Sequence, residues 1–458
     1  MAEVSANNLD QLSGPQPPSD SGTVVVEPLA GPLSGIYFPP GDRCITQRAL
    51  ILGAIARGPM RLMGALESPQ TVATRRVLAQ LGVSFTIDAE DWLVVARRDG
   101  AALQEPLVDL DCGDSLETLW LMAGMLCGQD LAATLTGSSQ LLAGDCGPLV
   151  DQLALMDARL ECLGSGQRPP LGVQGRQLKV TELTIPPHSY LLKDSLVMAS
   201  LSVQGISRLI GAVNGNDHLE RLLRQMGVSI RRSGDNLTVK GGQNVHPRRI
   251  MIPGDVTAAA PLVVAAALTP GSDVLLRQVG ANPGRMGLFK TLGRVGADLN
   301  RERDWQYGSE PVANLRVRYS PELESFSVSP NLAPFLIEEF PLLALVATQV
   351  KGRSHLRNGI PKTGATPNIQ QMTSDILRQF GADIEQTDDG YIVTGPTPLT
   401  GAEVQCAGNL SLGMLALAAA LIAKGPSTLH AAGALEDSYP GLLREIQQLA
   451  KDEDPGQG

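Results

Sequence analysis

Polar residues mark the starts of two long apolar segments, where helix N-termini are expected. Arg43, Thr46 and Gln47 lie in GDRCITQRALILGAIARG, which begins at Gly41, and Glu338 precedes EFPLLALVA. A helix N-terminus favours anions, so the first group would form an anion-binding mouth; a solvated helix end is the alternative. Glu338 would act as a general base, and a capping charge is the alternative. The pattern therefore indicates anion binding and proton transfer at helix starts, with both alternatives open.

The segments that carry these residues recur six times along the chain. The clearest copies of the second half of the repeat are LAQLGVSFTIDAEDWLVV, LLRQMGVSIRRSGDNLTVKG and ILRQFGADIEQTDDGYIVTG, which start at Leu78, Leu222 and Ile376. Each repeat opens with an apolar helix, continues through a strand and a half-charged helix, and ends in a strand pair. First helices such as LGMLALAAALIA are apolar all round and should be buried. The sixth repeat lacks its strand pair, and we expect VVVEPL and GIYF, between residues 24 and 38, to complete it as an N-terminal hairpin.

Composition excludes several classes of protein. The net charge is −10 and no cluster of Lys and Arg is present, which argues against a nucleic-acid partner. No free apolar run reaches the ~18 residues of a membrane span. Residues 1–22 have neither the apolar core of a signal peptide nor the Arg content of a transit peptide, and we expect a disordered tail. The six cysteines are scattered without metal-ligand spacing, which favours a reducing cytoplasm.

Three segments resemble signatures of the enolpyruvyl transferase family, and specifically of its EPSP synthases. They are PGDRCITQRALILGAIARG, NGNDHLERLLRQMGV and IPGDVTAAAPLVVAAAL, and the resemblance covers about residues 23–450. It implies a two-domain α/β fold, of the inside-out α/β barrel-like kind, with six βαβαββ repeats and three repeats per domain. We expect one domain at 41–243 and the other at 23–40 plus 252–450.

The same resemblance implies that phosphoenolpyruvate and shikimate-3-phosphate bind in a cleft between the domains. Substrate-binding positions of the family match Arg43, Cys44, Arg48 and Ser189, and its aspartate base matches Glu338. For Arg48, a surface or helix-capping arginine is the alternative. No metal or cofactor is expected.

Several positions that hold substrate anions in the family carry other residues here. In chain order these are Asp114, Leu116, Glu117, Trp120, Gly144–Asp145, Ala365–Ile369, Asn409–Ser411 and Asp437. Lys362 is the one cation near enough to substitute. A charge-assisted contact contributes about 1.5–3 kcal/mol, so losing four or so would remove on the order of 6–12 kcal/mol of ligand stabilisation.

These departures lead to the hypothesis of a divergent EPSP synthase homologue that cannot use phosphoenolpyruvate. It would be a pseudoenzyme, or an enzyme remodelled for another reaction on a shikimate-like or cyclitol ring, with a small anionic or cyclitol-type ligand in the cleft. One alternative is a working enolpyruvyl transferase of the shikimate pathway. Another is a partner-binding protein that retains only a remnant of the cleft, with a partner that the sequence does not identify.

Overall fold

A computed structural model of the chain describes residues 22–90, 92–97, 100–186, 189–211, 215–336, 338–358 and 369–450. These residues form two compact units. Unit one consists of residues 41–252 with 307–310, and unit two consists of the described parts of 15–40, 253–306 and 311–458. The expected tail, at residues 1–21, and Lys362 lie outside the described residues.

The described chain starts with two short strands of unit two, β1 (Val24–Val26) and β2 (Ser34–Tyr37). Unit one follows with the helices α1 (Arg43–Ile55), α2 (Pro69–Gln80), α3 (Leu116–Leu126), α4 (Ser139–Leu142), α5 (Gly147–Leu155), α6 (Tyr190–Ser200) and α7 (His218–Gln225). Its strands are β3 (Met60–Met63), β4 (Val83–Ile87), β5 (Leu93–Arg97), β6 (Leu110–Asp111), β7 (Ala132–Thr136), β8 (Arg159–Cys162), β9 (Leu171–Gln174), β10 (Glu182–Thr184), β11 (Ile206–Ile210), β12 (Ile230–Ser233), β13 (Asn236–Lys240) and β14 (Arg249–Met251).

Unit two continues in the same alternating order of strands and helices. Its helices are α8 (Val256–Leu268), α9 (Gly287–Arg294), α10 (Phe340–Gln349), α11 (Ile369–Gln379), α12 (Leu410–Ile422), α13 (Gly433–Ser438) and α14 (Leu442–Leu449), and a 3-10 turn covers Pro330–Phe335. Its further strands are β15 (Asp273–Gly280), β16 (Leu299–Tyr307), β17 (Glu310–Arg318), β18 (Ser327–Val328), β19 (Gly352–Arg357), β20 (Asp383–Thr387), β21 (Gly390–Gly395), β22 (Glu403–Gln405) and β23 (Ser427–His430). The expected α/β fold with recurring βαβαββ repeats is confirmed.

Each repeat of the sequence corresponds to one small sheet. In unit one the strand orders are β14-β3-β5-β4, β6-β7-β9-β8 and β10-β11-β13-β12, and in unit two β16-β17-β15-β2, β18-β19-β21-β20 and β1-β23-β22. In each four-stranded sheet one edge strand pairs in parallel with its neighbour, and the other pairs are antiparallel. In the second sheet, for example, β6 and β7 are parallel, whereas β9 is antiparallel to both β7 and β8. A parallel pair needs a crossover connection, and α3, α6, α10 and α12 supply it in the second, third, fifth and sixth sheets.

The expected N-terminal hairpin is wrong. β1 pairs antiparallel with β23 in the sixth sheet, as expected for a missing strand, but β2 pairs in parallel with β15 in the fourth sheet. The fourth repeat needs a first strand before α8, and β2 supplies it, just as β14 supplies the first strand of the first sheet through its parallel pair with β3. Both edge strands therefore come from chain segments distant from the repeat that they complete.

The first helix of each repeat is buried because it is apolar on nearly every side. Every residue of α8 from Val256 to Ala267 is buried, and so is every residue of α12 from Ser411 to Leu421. In unit two α8, α10 and α12 pack on one another, and in unit one α3 packs against both α1 and α6. At Gly124 a Cβ atom would lie 2.1 Å from the carbonyl oxygen of Ser195, so only glycine permits this close approach of α3 and α6.

Side-chain oxygens cap several of these buried helices and so fix where they begin. Asp42, Ser115, Asp255 and Asn409 accept hydrogen bonds from backbone N–H groups in the first turns of α1, α3, α8 and α12. Such caps satisfy donors that a helix leaves unpaired. Within the described residues, every helix falls short of the length and apolar character that a membrane crossing needs.

Candidate active site

Arg43 is the first residue of α1 and lies against α2 and α3. Its Nη1 donates to Oε1 of Gln70 at 3.3 Å, and its Nε lies 3.6 Å from Oε2 of Glu117. Only 10 % of the Arg43 side chain is exposed. The first residue predicted to bind substrate is therefore a nearly buried cation with a carboxylate beside it.

Thr46 and Gln47 do not belong to an anion-binding mouth, and the alternative of a solvated helix end is also wrong for them. Thr46 donates to the carbonyl of Asp42 at 2.8 Å, and the Gln47 amide donates to the hydroxyl of Ser115 at 2.8 Å. Gln47 is fully buried, because α1 packs against both α2 and α3 at this point. Gln47 therefore holds α1 to α3, and Thr46 closes the first turn of α1.

Arg48 is fully buried, which excludes the alternative of a surface arginine. Its Nε donates to Oδ2 of Asp194 at 2.7 Å and its Nη2 lies 2.5 Å from the same oxygen, while its Nη1 donates to the carbonyl of Cys44 at 2.9 Å. Burial opposes the charge of Arg48, but the carboxylates of Asp194 and Glu117 outweigh burial and raise the pKa of the guanidinium. Arg48 is thus a permanently charged group held in place by its ion pair.

Glu117, in the first turn of α3, joins the residues of the opening signature. Its Oε1 lies 3.4 Å from Nη1 of Arg48 and accepts a hydrogen bond from the Cys44 thiol at 3.1 Å. Burial alone would raise the pKa of Glu117, but Arg43 and Arg48 lower it below its usual value. Burial and the neighbouring Glu117 raise the pKa of Cys44, so the thiol stays protonated and serves as a donor.

Sequence reasoning missed Lys193 and Glu220, which extend this arrangement. Lys193 lies next to Asp194 in α6 and donates to Oε1 of Glu220 at 2.5 Å and to the carbonyl of Asn216 at 2.7 Å. Its Nζ also lies 3.0 Å from Oδ1 of Asp194. The sequence signal that could have indicated them is the charged pair Lys193–Asp194 inside the otherwise largely apolar helix α6. We call the six residues Arg43, Arg48, Glu117, Lys193, Asp194 and Glu220 the unit-one ion cluster.

Ser189 is the N-cap residue of α6, the helix that carries Lys193 and Asp194. It is half-buried. Its hydroxyl and the N-terminal backbone N–H groups of α6 are suitable donors for an anion. Its role in substrate binding stays a prediction.

His218 begins α7 and links two acidic residues of unit one. Its Nδ1 lies 2.9 Å from Oε1 of Glu310, and its Nε2 lies 3.9 Å from Oδ2 of Asp42, the cap of α1. Burial lowers the affinity of the ring for a proton, but Glu310 and Asp42 outweigh it and raise the pKa of His218. The ring therefore contacts both carboxylates, and it lies at the start of α7 beside the residue that caps α1.

Glu338 lies in unit two, just before α10, with Arg285 beside it. Nη2 of Arg285 lies 4.0 Å from Oε2 of Glu338 and 3.5 Å from Oε1 of Glu339. The Thr257 hydroxyl donates to Oε1 of Glu339 at 2.5 Å and accepts from Arg285. Burial raises the pKa of Glu339, opposed by Arg285. Arg285 is therefore the cation beside the Glu338 carboxylate, and Glu338 is half-buried, so that solvent still reaches it. The catalytic role of Glu338 stays a prediction.

The positions that depart from the family pattern have structural contacts of their own. Oδ1 of Asp145 accepts from the N–H of Gly147 at 2.8 Å, and Asn409 caps α12. The carbonyl of Trp120 accepts from the Ser195 hydroxyl at 2.6 Å, and half-buried Asp437 lies in α13. Residues 365–368, like Lys362, lie outside the described residues.

Comparisons with known proteins agree along nearly the whole chain. The family model for EPSP synthase (3-phosphoshikimate 1-carboxyvinyltransferase) matches residues 29–446. A 3-phosphoshikimate 1-carboxyvinyltransferase of Streptococcus equi subsp. zooepidemicus is 35 % identical over 92 % of this chain and 98 % of its own length. One from Shouchella clausii is 34 % identical over 91 % of this chain and 96 % of its own length.

Solved structures give the same result for the fold. EPSP synthase from Acinetobacter baumannii matches with a TM-score of 0.82 and 28 % identity, covering 93 % of this chain and 98 % of that one. The enolpyruvyl transferase NikO from Streptomyces tendae matches with a TM-score of 0.72, covering 94 % of this chain and 98 % of that one. Its identity is 15 %, so that likeness concerns the fold alone.

The hypothesis of a pseudoenzyme or of an enzyme remodelled for another reaction is wrong. Relatives named 3-phosphoshikimate 1-carboxyvinyltransferase are 33–35 % identical over about 92 % of the chain, which favours the alternative of a working transferase. The hypothesis rested on adding up losses at motif positions, and that sum omitted the buried cation Lys193, which lies outside those positions. By its sequence along nearly the whole length and by its fold, the chain belongs to the EPSP synthase family.

Proposed function

We propose that this protein is a 3-phosphoshikimate 1-carboxyvinyltransferase. It would transfer the enolpyruvyl group of phosphoenolpyruvate to a hydroxyl of shikimate-3-phosphate and release inorganic phosphate. The observation that carries the proposal is the similarity to transferases of that name over 92 % of the chain, at 35 % identity in one case. The reaction belongs to the shikimate pathway of aromatic amino-acid synthesis, and the scattered cysteines of the sequence support a cytoplasmic enzyme.

The unit-one ion cluster supports the binding half of this proposal. Arg43, Arg48 and Lys193 are buried cations, and α1 and α6 begin at Arg43 and at the residue after Ser189. Guanidinium groups and helix N-termini are the groups that proteins use to bind phosphate and carboxylate. Shikimate-3-phosphate carries both anions. We therefore assign its binding to Arg43, Cys44, Arg48 and Ser189.

Glu338 supports the chemical half. The acceptor hydroxyl must lose a proton as its oxygen bonds to the enolpyruvyl carbon, and a positioned carboxylate can accept that proton. Glu338 is half-buried beside Arg285, whose charge orients the carboxylate. Proton transfer by such a group contributes typically 10²–10⁴-fold to the rate.

The test is turnover by the purified chain with phosphoenolpyruvate and shikimate-3-phosphate. We expect release of inorganic phosphate together with a new enolpyruvyl ether signal by NMR, and loss of roughly 10²-fold or more in rate in Glu338→Gln. Glu324→Gln, an exposed glutamate of unit two, is the matched control and should keep the full rate. Equal phosphate release by the wild type and by a no-enzyme blank would reject the proposal, as would failure to restore growth of a strain that lacks this transferase.

A further inference from the structure

Glu117 lies where an anionic ligand of the two arginines would lie. Its carboxylate contacts three groups of the opening signature: Nε of Arg43 at 3.6 Å, Nη1 of Arg48 at 3.4 Å and the Cys44 thiol at 3.1 Å. The side chain is buried at the N-terminal end of α3, a position that itself favours negative charge. Two cations, a thiol donor and a helix start thus converge on one carboxylate, as they would on a bound phosphate or carboxylate.

The other two carboxylates of the unit-one ion cluster are bound more tightly. Asp194 has an oxygen 2.5 Å from Nη2 of Arg48 and its side chain is fully buried. Glu220 lies 2.5 Å from Nζ of Lys193. The contacts of Glu117 with both arginines are about an ångström longer, and 11 % of its side chain is exposed. Among these three carboxylates, Glu117 is the one with the loosest ion pairs.

From these distances we propose that Glu117 is an internal counter-ion that competes with anionic ligands for Arg43 and Arg48, and so sets the affinity of unit one for them. The ligand class is a phosphorylated or carboxylated small molecule. This inference rests on the proposed function for the identity of the natural ligand, shikimate-3-phosphate. It is independent of that function for simple anions, since inorganic phosphate needs the same guanidinium groups.

Electrostatics gives the sign of the effect. A carboxylate a few ångströms from a bound anion repels it, and this repulsion persists at the effective dielectric constant of about 20 that suits protein sites. Solvent and displacement of the side chain reduce the repulsion. Removing the charge of Glu117 should therefore strengthen anion binding by about tenfold or more, the equivalent of about 1.4 kcal/mol.

Glu117→Gln is the direct test, because the amide keeps the volume and one acceptor oxygen for Cys44 and Arg48. Binding of shikimate-3-phosphate and of inorganic phosphate is measured by titration calorimetry. We expect dissociation constants about tenfold lower than in the wild type for both anions. Glu161→Gln, an exposed glutamate on β8 of the same unit, removes the same charge and should leave both constants within about twofold.

A second pair of variants keeps the inference testable if Glu117→Gln does not fold. Glu117→Asp retains the charge at the helix start but withdraws it from both arginines by one methylene, and we expect about threefold tighter binding. Arg43→Gln should weaken phosphate binding only about threefold in the wild type, because Glu117 offsets part of the charge that Arg43 offers to the ligand. In the Glu117→Asp background, where the carboxylate is withdrawn from Arg43, the same change should weaken phosphate binding about tenfold.

The outcomes separate this inference from the proposed function. Tighter phosphate binding in Glu117→Gln supports the counter-ion role whether or not the wild type turns over substrate. If the wild type is active but both Glu117 variants, folded by circular dichroism, bind phosphate equally or more weakly, the counter-ion role is overturned and Glu117 only supports the arginines. An additive effect of Arg43→Gln in the two backgrounds would overturn it as well.

Discussion

The hydroxyl of Tyr439 donates a 2.9 Å hydrogen bond to Oδ2 of Asp255, although 184 residues separate them in sequence. Oδ1 of the same carboxylate accepts from the N–H of Thr257 at 2.9 Å and so caps α8. Both residues are buried in unit two. The loop after α13 is thus fastened to the start of the first buried helix of that unit.

Loss of this hydroxyl should destabilise unit two. In Tyr439→Phe one buried carboxylate oxygen loses a donor, and we expect a decrease of about 1–3 kcal/mol in the free energy of unfolding, measured by urea denaturation. Tyr319→Phe, at a half-buried tyrosine after β17, is the matched control and should change it by less than about 0.5 kcal/mol. Equal effects of the two substitutions would show that the hydrogen bond does not stabilise the helix start.

Arg48→Met should be strongly destabilising. The substitution leaves Asp194 buried without its closest cation, and breaking a buried ion pair in this way costs about 3–5 kcal/mol. Arg176, whose pair with Asp157 is about one-third exposed, gives the control Arg176→Met with an expected change below about 1 kcal/mol. The measurement is the unfolding transition of each variant in urea, and a shift no larger than that of the control would contradict the structural role of Arg48.

The pair of His218 and Glu310 should make the stability of unit one depend on pH. Because the pKa of His218 is raised in the folded protein, its stabilisation is complete below the unfolded pKa of about 6.5 and is lost as the pH rises through the folded pKa. We expect the melting temperature of the wild type to fall between pH 6 and pH 9 by more than that of His218→Gln. The exposed His246 supplies the control His246→Gln, which should follow the wild type. Parallel curves for His218→Gln and the wild type would contradict the assignment.

Arg285 should act as a positioning residue for Glu338 rather than as a binding residue. Its guanidinium lies 4.0 Å from Glu338 and 3.5 Å from Glu339, so its removal frees the carboxylate proposed to take the proton. We expect Arg285→Met to lower kcat by about 10²-fold with KM nearly unchanged, and Arg285→Lys to restore part of the rate. A rise in KM with kcat unchanged would instead place Arg285 in substrate binding.

Much of the fold could be predicted from the sequence, because the signals are local. Apolar periodicity and the glycines between elements indicate the repeats, and the polar residue before each apolar run marks helix starts such as Asp42 and Asp255. The pairing of β2 with β15 was missed, because a three- or four-residue strand carries no information about a partner more than two hundred residues away. Adjacent strands in sequence were therefore joined into a hairpin that does not form.

The candidate site was less predictable, because its geometry depends on contacts between helices distant in sequence. Glu117 could be recognised as an intruding carboxylate, but its contacts with Arg43, Arg48 and Cys44 join α1 to α3. Lys193 matches none of the family motifs, and its ion pair with Glu220 joins α6 to α7. Counting cations at motif positions alone then led to the wrong hypothesis about function.

Unit two is built from chain segments on both sides of unit one, so the ribosome makes its parts at different times. The hydroxyl oxygen of Thr23 and Nδ1 of His430 lie 3.3 Å apart, although 407 residues separate them in sequence. The partner strand of β1, β23, is therefore made only after all the residues between them. At 5–20 residues per second, the time between the synthesis of β1 and that of β23 is roughly 20–80 s. Residues 41–252 leave the ribosome as one block in the meantime, so we expect most of unit one to be folded while β1 is still unpaired. An exposed strand edge of this kind is a site for mispairing between newly made chains, and its short length of three residues limits that hazard.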